Sequence, residues 1–164
     1  MPSPPASPSS PEVTVEDVPL TSPEALALIA RLNGELDERY PEPGANFFSL
    51  DPEEVGPGRG AFVVARLGGV PMGCGAVRLL DAETAEVKRM FVDPSARGHG
   101  IGRRILGVLE ERARTLGVKR LVLEMGPRQP DAHALYTRAG FVPVEPFGEY
   151  VGSPLSVCLA RELR

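Results

Sequence analysis

A strand, a glycine-rich turn and a helix follow one another between Glu86 and Gly107, and this stretch constrains the fold more than any other part of the chain. The run from Glu86 to Val92 is rich in β-favouring residues, and Asp93-Pro94 ends it because proline has no N–H to donate to a neighbouring strand. After the turn, apolar residues recur at three- and four-residue steps, the spacing of one helix face. These are Ile101, Ile105, Leu109, Ala113 and Leu116.

The turn reads Arg97-Gly98-His99-Gly100-Ile101-Gly102 and leads directly into the predicted helix. The first N–H groups of a helix have no partner within the helix, and the helix dipole places partial positive charge at the same end. Glycines let the backbone approach an anion without an intervening Cβ atom. This order of strand, turn and helix therefore predicts a site for a phosphate group.

Two kinds of phosphate site are compatible with such a turn. The dinucleotide fingerprint G-x-G-x-x-G needs a third glycine, which is missing whether the motif starts at Gly98 or at Gly100. The residues before the turn also predict an antiparallel meander, whereas a dinucleotide fold begins with a parallel βαβ unit. The pattern (Q/R)-x-x-G-x-(G/A) after a strand is matched by Arg97, Gly100 and Gly102. It resembles the acyl-CoA pyrophosphate loop of the GNAT-type N-acetyltransferases.

A second segment supports the same resemblance. Gln129 to Phe141 is similar to the family element N-x-x-A-x-x-L-Y-x-x-x-G-F, and the tyrosine of that element is Tyr136 here. In the family this tyrosine lies near the CoA sulfur and is the usual proposed general acid; a core aromatic residue is the alternative interpretation. The family's asparagine is replaced by Gln129, which keeps the amide on a longer side chain.

The resemblance implies acetyl-CoA as co-substrate and a set of residues that bind it. The backbone near Phe91 and Val92 is expected to pair with the pantetheine arm, and an amide there to polarise the thioester carbonyl. An amide contact to the cofactor is expected from Gln129. The pyrophosphate is expected at the loop, which comprises Arg97, Gly98, His99, Gly100, Ile101, Gly102 and Arg103.

The resemblance also implies a general base that deprotonates the acceptor amine. We expect Glu86 in this role, with Glu124 and Glu149 as alternatives. In the alternative, non-catalytic interpretation, Glu86 is a solvated strand residue that pairs with Lys88. Acceptor contacts are expected between the first helix and the second strand, from Tyr40, Phe47 and Phe48, although these are equally compatible with ordinary core positions. The segment Pro146 to Tyr150 is expected over the acceptor cleft.

At 164 residues the chain supports one domain. Residues 1–11 are rich in proline and serine and predict a flexible tail, followed by a single domain over 12–164. The resemblance implies an α/β (α+β) acyl-CoA N-acyltransferase fold: a mixed, mostly antiparallel sheet of six or seven strands flanked by about four helices. Ser22-Pro23 predicts the start of a helix, and Gly34 predicts a weak point or an early end of that helix. Gly68-Gly69 predicts a two-residue hairpin turn.

Composition excludes several classes of function. The net charge of −4 and the 5% aromatic content disfavour nucleic-acid binding. No apolar run is long enough to span a bilayer, and no secretory signal is recognised. Cys74 and Cys158 fall in predicted strands without a metal-ligand partner, so we expect buried thiols, no metal and a cytoplasmic protein. The basic residues cluster around the phosphate loop, and the acidic remainder suits a cationic amine.

We therefore predict an enzyme that transfers an acetyl group from acetyl-CoA to a primary amine directly, in a ternary complex. A non-catalytic acyl-CoA sensor on the same fold is the alternative; it would keep the loop and not use Glu86 or Tyr136. An NAD-type oxidoreductase is disfavoured by the missing third glycine. The identity of the acceptor amine and a homodimeric state are left open by the sequence.

Overall fold

The computed structural model describes residues 12–42 and 50–163. The predicted tail, Phe47 and Phe48 lie outside these residues. The strands are β1 (Val13–Asp17), β2 (Gly60–Leu67), β3 (Val70–Leu79), β4 (Thr84–Val92), β5 (Arg120–Met125), β6 (Val142–Val144) and β7 (Val157–Glu162). The α-helices are α1 (Pro23–Arg39), α2 (Ile101–Thr115) and α3 (Pro130–Arg138).

The strands form one seven-stranded sheet in the order β1-β2-β3-β4-β5-β7-β6. Every neighbouring pair is antiparallel except β4 and β5, which are parallel and joined through α2. This confirms the mixed, mostly antiparallel sheet. The described residues contain three α-helices instead of about four. The segment after Asp51 forms only the 3-10 helix Pro52–Val55, because Gly56-Pro57 follows before a full α-helical turn can develop.

Helix α1 begins as the sequence predicts but runs further. The Ser22 hydroxyl accepts a hydrogen bond from the Ala25 N–H at 3.2 Å, and proline occupies the first helical position. Gly34 does not end the helix, which continues to Arg39. A glycine inside a helix costs roughly 1 kcal/mol relative to alanine, and burial of the apolar face on both sides of it offsets that cost. The helix ends before Pro41.

Two apolar cores cover the two faces of the sheet. One face packs against α2, whose stripe Ile101, Ile105, Leu109 and Ala113 is buried as predicted. The other face packs against α1, which buries Ala25, Leu28 and Leu32 against side chains that include Phe62 and Phe91. Successive residues of β2 alternate between the cores, since neighbouring strand side chains point to opposite faces. Both cysteines are buried free thiols, as expected.

The turns that shape the sheet follow the sequence closely. Gly68 and Gly69 have φ angles of 59° and 84°, the left-handed values that a tight two-residue hairpin turn between β2 and β3 requires. At the next turn, the Asp81 carboxylate accepts hydrogen bonds from the N–H groups of Glu83 and Thr84 at 2.9 and 2.8 Å. Within the described parts of the chain, no helix is long and apolar enough to cross a membrane.

Candidate active site

An open seam between β4 and β5 forms the centre of the candidate site. The two strands pair only from Thr84–Arg120 to Val87–Leu123, although β4 continues to Val92. A bulge in β4 contributes to the separation, because Cys74 pairs with Phe91 while Ala76 pairs with Lys88. The extra residue bends the strand, and Arg89 takes a left-handed φ of 56°. The backbone of β4 beyond Val87 therefore presents an edge to a cleft.

Two cavities lie along this cleft. The loop cavity, of about 150 Å³, is lined by Arg97 and Gly102 from the phosphate loop and by Phe91 and Val92 from β4. The inner cavity, of about 130 Å³, is lined by the polar residues Lys88, Glu124 and Tyr150, among others. Both are also lined by Leu32, Met90, Gln129, Ala132 and Tyr136. The shared residues make the two cavities parts of one cleft.

The predicted phosphate loop has the backbone expected of an anion site. Gly98 and Gly100 have φ angles of 91° and 73°, and Gly100 is the N-cap of α2. Apart from its two chain neighbours, a Cβ atom at either position would meet no atom of the described residues within 4 Å, so the left-handed backbone, and not local crowding, favours glycine there. The N–H groups at the start of α2 have no carbonyl partner within the helix. His99 and Arg103 are exposed.

The Arg97 side chain has protein partners in this structure. Its Nη2 donates to both carboxylate oxygens of Glu35 on α1, at 2.9 and 3.0 Å. Its Nε donates to the Val92 carbonyl at 3.2 Å. The guanidinium thus ties α1 to the end of β4 beside the loop cavity. In this arrangement the loop offers mainly its backbone N–H groups to an anion.

Tyr136 lies where the two cavities meet. Only 6% of the residue is exposed, and its ring packs edge-on against Phe141 with centroids 5.7 Å apart. Burial raises the pKa of the Tyr136 hydroxyl well above its ordinary value, and the charge of Glu124 raises this pKa further. The hydroxyl is therefore protonated near neutral pH and can donate a proton. Gln129 borders the same cavities, and its side-chain oxygen accepts a hydrogen bond from the Gly126 N–H at 3.1 Å.

Glu86 is buried and ion-paired. It is 1% exposed, and its Oε1 accepts a hydrogen bond from Nε of Arg78 at 3.0 Å. The same oxygen forms an ion pair with Nη2 of Arg78 at 2.9 Å. Its Oε2 accepts a hydrogen bond from the Tyr150 hydroxyl at 2.6 Å. The interpretation of Glu86 as a solvated residue paired with Lys88 is wrong. Lys88 pairs with Glu149 at 3.3 Å, whereas the strand register places Glu86 directly opposite Arg78.

Glu124, at the carboxyl end of β5, is the acidic side chain that lines the inner cavity. Burial raises the pKa of its carboxyl to about 7, against the opposing effect of the nearby Ser156 hydroxyl. The negative charge of Glu86 raises this pKa further, and Lys88 lowers it. A carboxyl with a pKa near neutrality in a cleft suits general-base chemistry.

Sequence reasoning assigned no role to Tyr150, although it expected the surrounding segment over the acceptor cleft. Tyr150 ends the 3-10 helix Gly148–Tyr150, is 2% exposed and packs edge-on against Phe147 at 5.2 Å. It lines the inner cavity next to Lys88. Within the described residues, no group of three or more His, Cys, Asp and Glu side chains could hold a metal ion.

Comparison with known proteins gives one consistent result. Residues 24–141 match the model of the Acetyltransferase (GNAT) family. A protein from Azospirillum brasilense named IAA acetyltransferase is 38% identical over 93% of this chain and 99% of its own length. A Klebsiella pneumoniae structure assigned to the acyl-CoA N-acyltransferases is 33% identical, covers 93% of this chain and 98% of its own, and superposes with a TM-score of 0.78. A GNAT family acetyltransferase from Elizabethkingia anophelis, solved with acetyl-CoA bound, shares the fold at 20% identity over 92% of this chain and 98% of its own, with a TM-score of 0.65.

Proposed function

The chain belongs to the GNAT acetyltransferase family, and from this premise we propose that it transfers the acetyl group of acetyl-CoA directly to a primary amine. The observation that carries the proposal is the cleft between β4 and β5. One end of the cleft is formed by the glycine-rich loop at the start of α2, and the inner cavity is lined by both Glu124 and Tyr136. Such a cleft can hold two substrates in contact, which supplies much of the rate of a bimolecular reaction.

The residues along the cleft fit acetyl-CoA. The backbone N–H groups from Gly98 to Arg103 would hold the pyrophosphate, since the N-terminus of α2 and the two left-handed glycines form an open, anion-favouring surface there. The edge of β4 that faces β5, near Phe91 and Val92, would bind the pantetheine amides, since β5 pairs with β4 only as far as Val87. Bound in this way, acetyl-CoA would supply a reactive thioester.

We assign the general-base role to Glu124 in preference to Glu86. An alkyl ammonium has a pKa of roughly 10.4 and must lose a proton before attack. Glu124 lines the inner cavity, and its pKa of about 7 makes its carboxylate a better proton acceptor than an ordinary glutamate. The Glu86 carboxylate is buried and already accepts hydrogen bonds from Arg78 and Tyr150. These contacts favour a role for Glu86 in holding neighbouring side chains in place, and not as the general base.

Tyr136 retains the proposed role of general acid. Its hydroxyl keeps its proton because burial disfavours the phenolate. It borders both cavities, where the departing sulfur of CoA would meet the acceptor. A thiol of pKa roughly 8.5 is a fair leaving group without assistance. The tyrosine therefore contributes to the rate without being indispensable.

Direct transfer is favoured over an acyl-cysteine intermediate. A cysteine nucleophile must be a thiolate. Burial raises the pKa of Cys74 to about 12, and burial also raises the pKa of Cys158. Cys74 belongs to the core that packs against α1, and its thiol donates to the Arg89 carbonyl at 3.3 Å. Neither thiol is set up as a nucleophile.

The test is an amine screen that follows CoA thiol release and identifies the product by mass spectrometry. Aliphatic monoamines, arylalkylamines, polyamines, amino acids and peptides are the probes. We expect release that depends on one amine class and falls in Glu124→Gln. Glu110→Gln is the matched control, because Glu110 is an ion-paired carboxylate bound to Arg114 and Arg161 away from the cleft. Acetyl-CoA binding without turnover of any amine would instead support the alternative of a non-catalytic acyl-CoA sensor.

A further inference from the structure

The contact between Tyr150 and Glu86 has a fixed hydrogen-bond direction. The Glu86 carboxylate lies opposite Arg78, accepts a hydrogen bond from its Nε–H and forms an ion pair with its Nη2. An ionised carboxylate only accepts hydrogen bonds. Of the two groups, the Tyr150 hydroxyl must therefore donate, at 2.6 Å. Burial and the charge of Glu86 also raise the Tyr150 pKa, so the phenol keeps this proton.

This direction determines what the phenol oxygen can offer to a ligand. A tyrosine hydroxyl has one hydrogen, and that hydrogen is used on Glu86. Toward the inner cavity the oxygen can then act only as an acceptor. It therefore attracts an N–H group and repels a carboxylate or a carbonyl oxygen.

The charges around the cavity favour the same kind of ligand. Glu124 lines the cavity, and Glu86 and Glu149 both act on its carboxyl electrostatically. Arg78 pairs with Glu86 and Lys88 pairs with Glu149, so these four side chains and an ionised Glu124 together carry one excess negative charge. A ligand with a positive charge on nitrogen balances the charge of Glu124, whereas an anionic acceptor adds repulsion.

We propose that Tyr150 is a specificity-determining residue, which accepts a hydrogen bond from the N–H of a cationic amine acceptor, and that Glu86 is a positioning residue acting through it. Glu86, held by Arg78, directs the Tyr150 proton away from the acceptor. Glu124 then faces the same nitrogen as proton acceptor. The inference rests on the proposed function and specifies its substrate class as amines that bind as cations.

The experiment measures steady-state kinetics for the wild type, Tyr150→Phe, Glu86→Gln and the double variant. The probe is the amine with the highest kcat/KM among butylamine, phenethylamine, spermidine, lysine and glycinamide. Loss of one hydrogen bond to the amine should raise its KM about tenfold in each single variant. The kcat and the KM for acetyl-CoA should change less than about threefold. Because Glu86 acts through Tyr150, the double variant should match Tyr150→Phe.

Matched measurements separate this role from a structural one. Glu110→Gln removes a comparable ion-paired carboxylate outside the cleft and should leave the amine KM unchanged. Melting temperature and acetyl-CoA affinity monitor the fold of every variant.

The outcomes are distinguishable. An unchanged amine KM in folded Tyr150→Phe, with turnover intact in the wild type, overturns the inference and leaves the proposed function standing. A large loss of kcat in Glu86→Gln that multiplies with Tyr150→Phe makes Glu86 the base and also overturns it. If the wild type turns over no amine, the proposed function fails and this inference fails with it.

Discussion

Arg78 and Glu86 face each other across β3 and β4, with Nε and Nη2 of the guanidinium 3.0 and 2.9 Å from Oε1 of the carboxylate. Arg78 also binds Glu54, which belongs to the 3-10 helix Pro52–Val55, and Glu86 also binds Tyr150. One continuous chain of hydrogen bonds therefore joins the segment after α1 to the wall of the inner cavity. A buried charge network of this kind is sensitive to the loss of any member.

Removing Arg78 should destabilise the protein strongly. Arg78→Met keeps the apolar stem but leaves Glu86 buried without its counter-charge, and breaking a buried pair typically costs about 3–5 kcal/mol. Urea denaturation measures the free energy of unfolding. Arg112→Met is the control, since its ion pair with Asp17 is exposed and should contribute less than about 1 kcal/mol. Equal stability losses in the two variants would contradict a special role for the buried pair.

Two substitutions at Gly100 should distinguish the effect of backbone strain on stability from the effect of an added Cβ atom on acetyl-CoA binding. The φ angle of 73° disfavours valine but is tolerated by asparagine. Gly100→Val should lower the melting temperature, whereas Gly100→Asn should not. Both add a Cβ atom beside the loop N–H groups and should weaken acetyl-CoA binding at least tenfold by calorimetry. Gly107→Ala, on the exposed side of α2, should bind like the wild type. Full affinity in Gly100→Asn would place the anion elsewhere.

Glu124 should make both activity and stability depend on pH. The base must be ionised, so kcat should rise as the pH increases through about 7 and then level off. Glu124→Gln should lose this rise together with most of the activity. A pH profile of single-turnover rates with excess acetyl-CoA checks this, and an unchanged rise in the variant would assign it to another group.

The same pKa predicts an opposite trend for stability. The Glu124 pKa is raised from an ordinary value of 4.5 to about 7, so between these values the folded protein binds a proton that the unfolded chain does not. Its contribution to stability is present below about pH 4.5 and is lost as the pH rises toward 7. Glu124→Gln should therefore melt higher than the wild type at pH 8, with a smaller difference at pH 5. Thermal melts at the two pH values measure this.

Tyr136→Phe should affect chemistry more than binding. The substitution keeps the ring and its edge-on contact with Phe141, so the melting temperature should barely change. General acids typically contribute 10²–10⁴-fold, and a fair leaving group argues for the low end. We expect kcat to fall about 10²-fold with little change in the KM for acetyl-CoA. Full kcat in the variant, with chemistry rate-limiting, would make Tyr136 a packing residue.

The local features of this protein were determined by its sequence alone. The strand Thr84–Val92, the helix start at Ile101, the hairpin at Gly68-Gly69 and the N-cap Ser22 all occur where the sequence predicts them. Each depends on residues within a few positions, through periodicity, turn geometry or capping. Gly34 is the exception, because the packing of the whole of α1 outweighs the preference of one residue.

The partners of the charged side chains were decided only by the tertiary structure. Arg97 meets Glu35, 62 residues away, and Tyr150 meets Glu86, 64 residues away. Such pairs depend on strand register and on how helices pack across the sheet, which no local pattern encodes. The raised pKa of Glu124 likewise reflects burial between separate elements. For this reason the sequence alone predicted a phosphate loop from its local pattern and Tyr136 from the family resemblance. For the base it favoured Glu86 over Glu124 and Glu149, without the burial and ion pairs that distinguish the three.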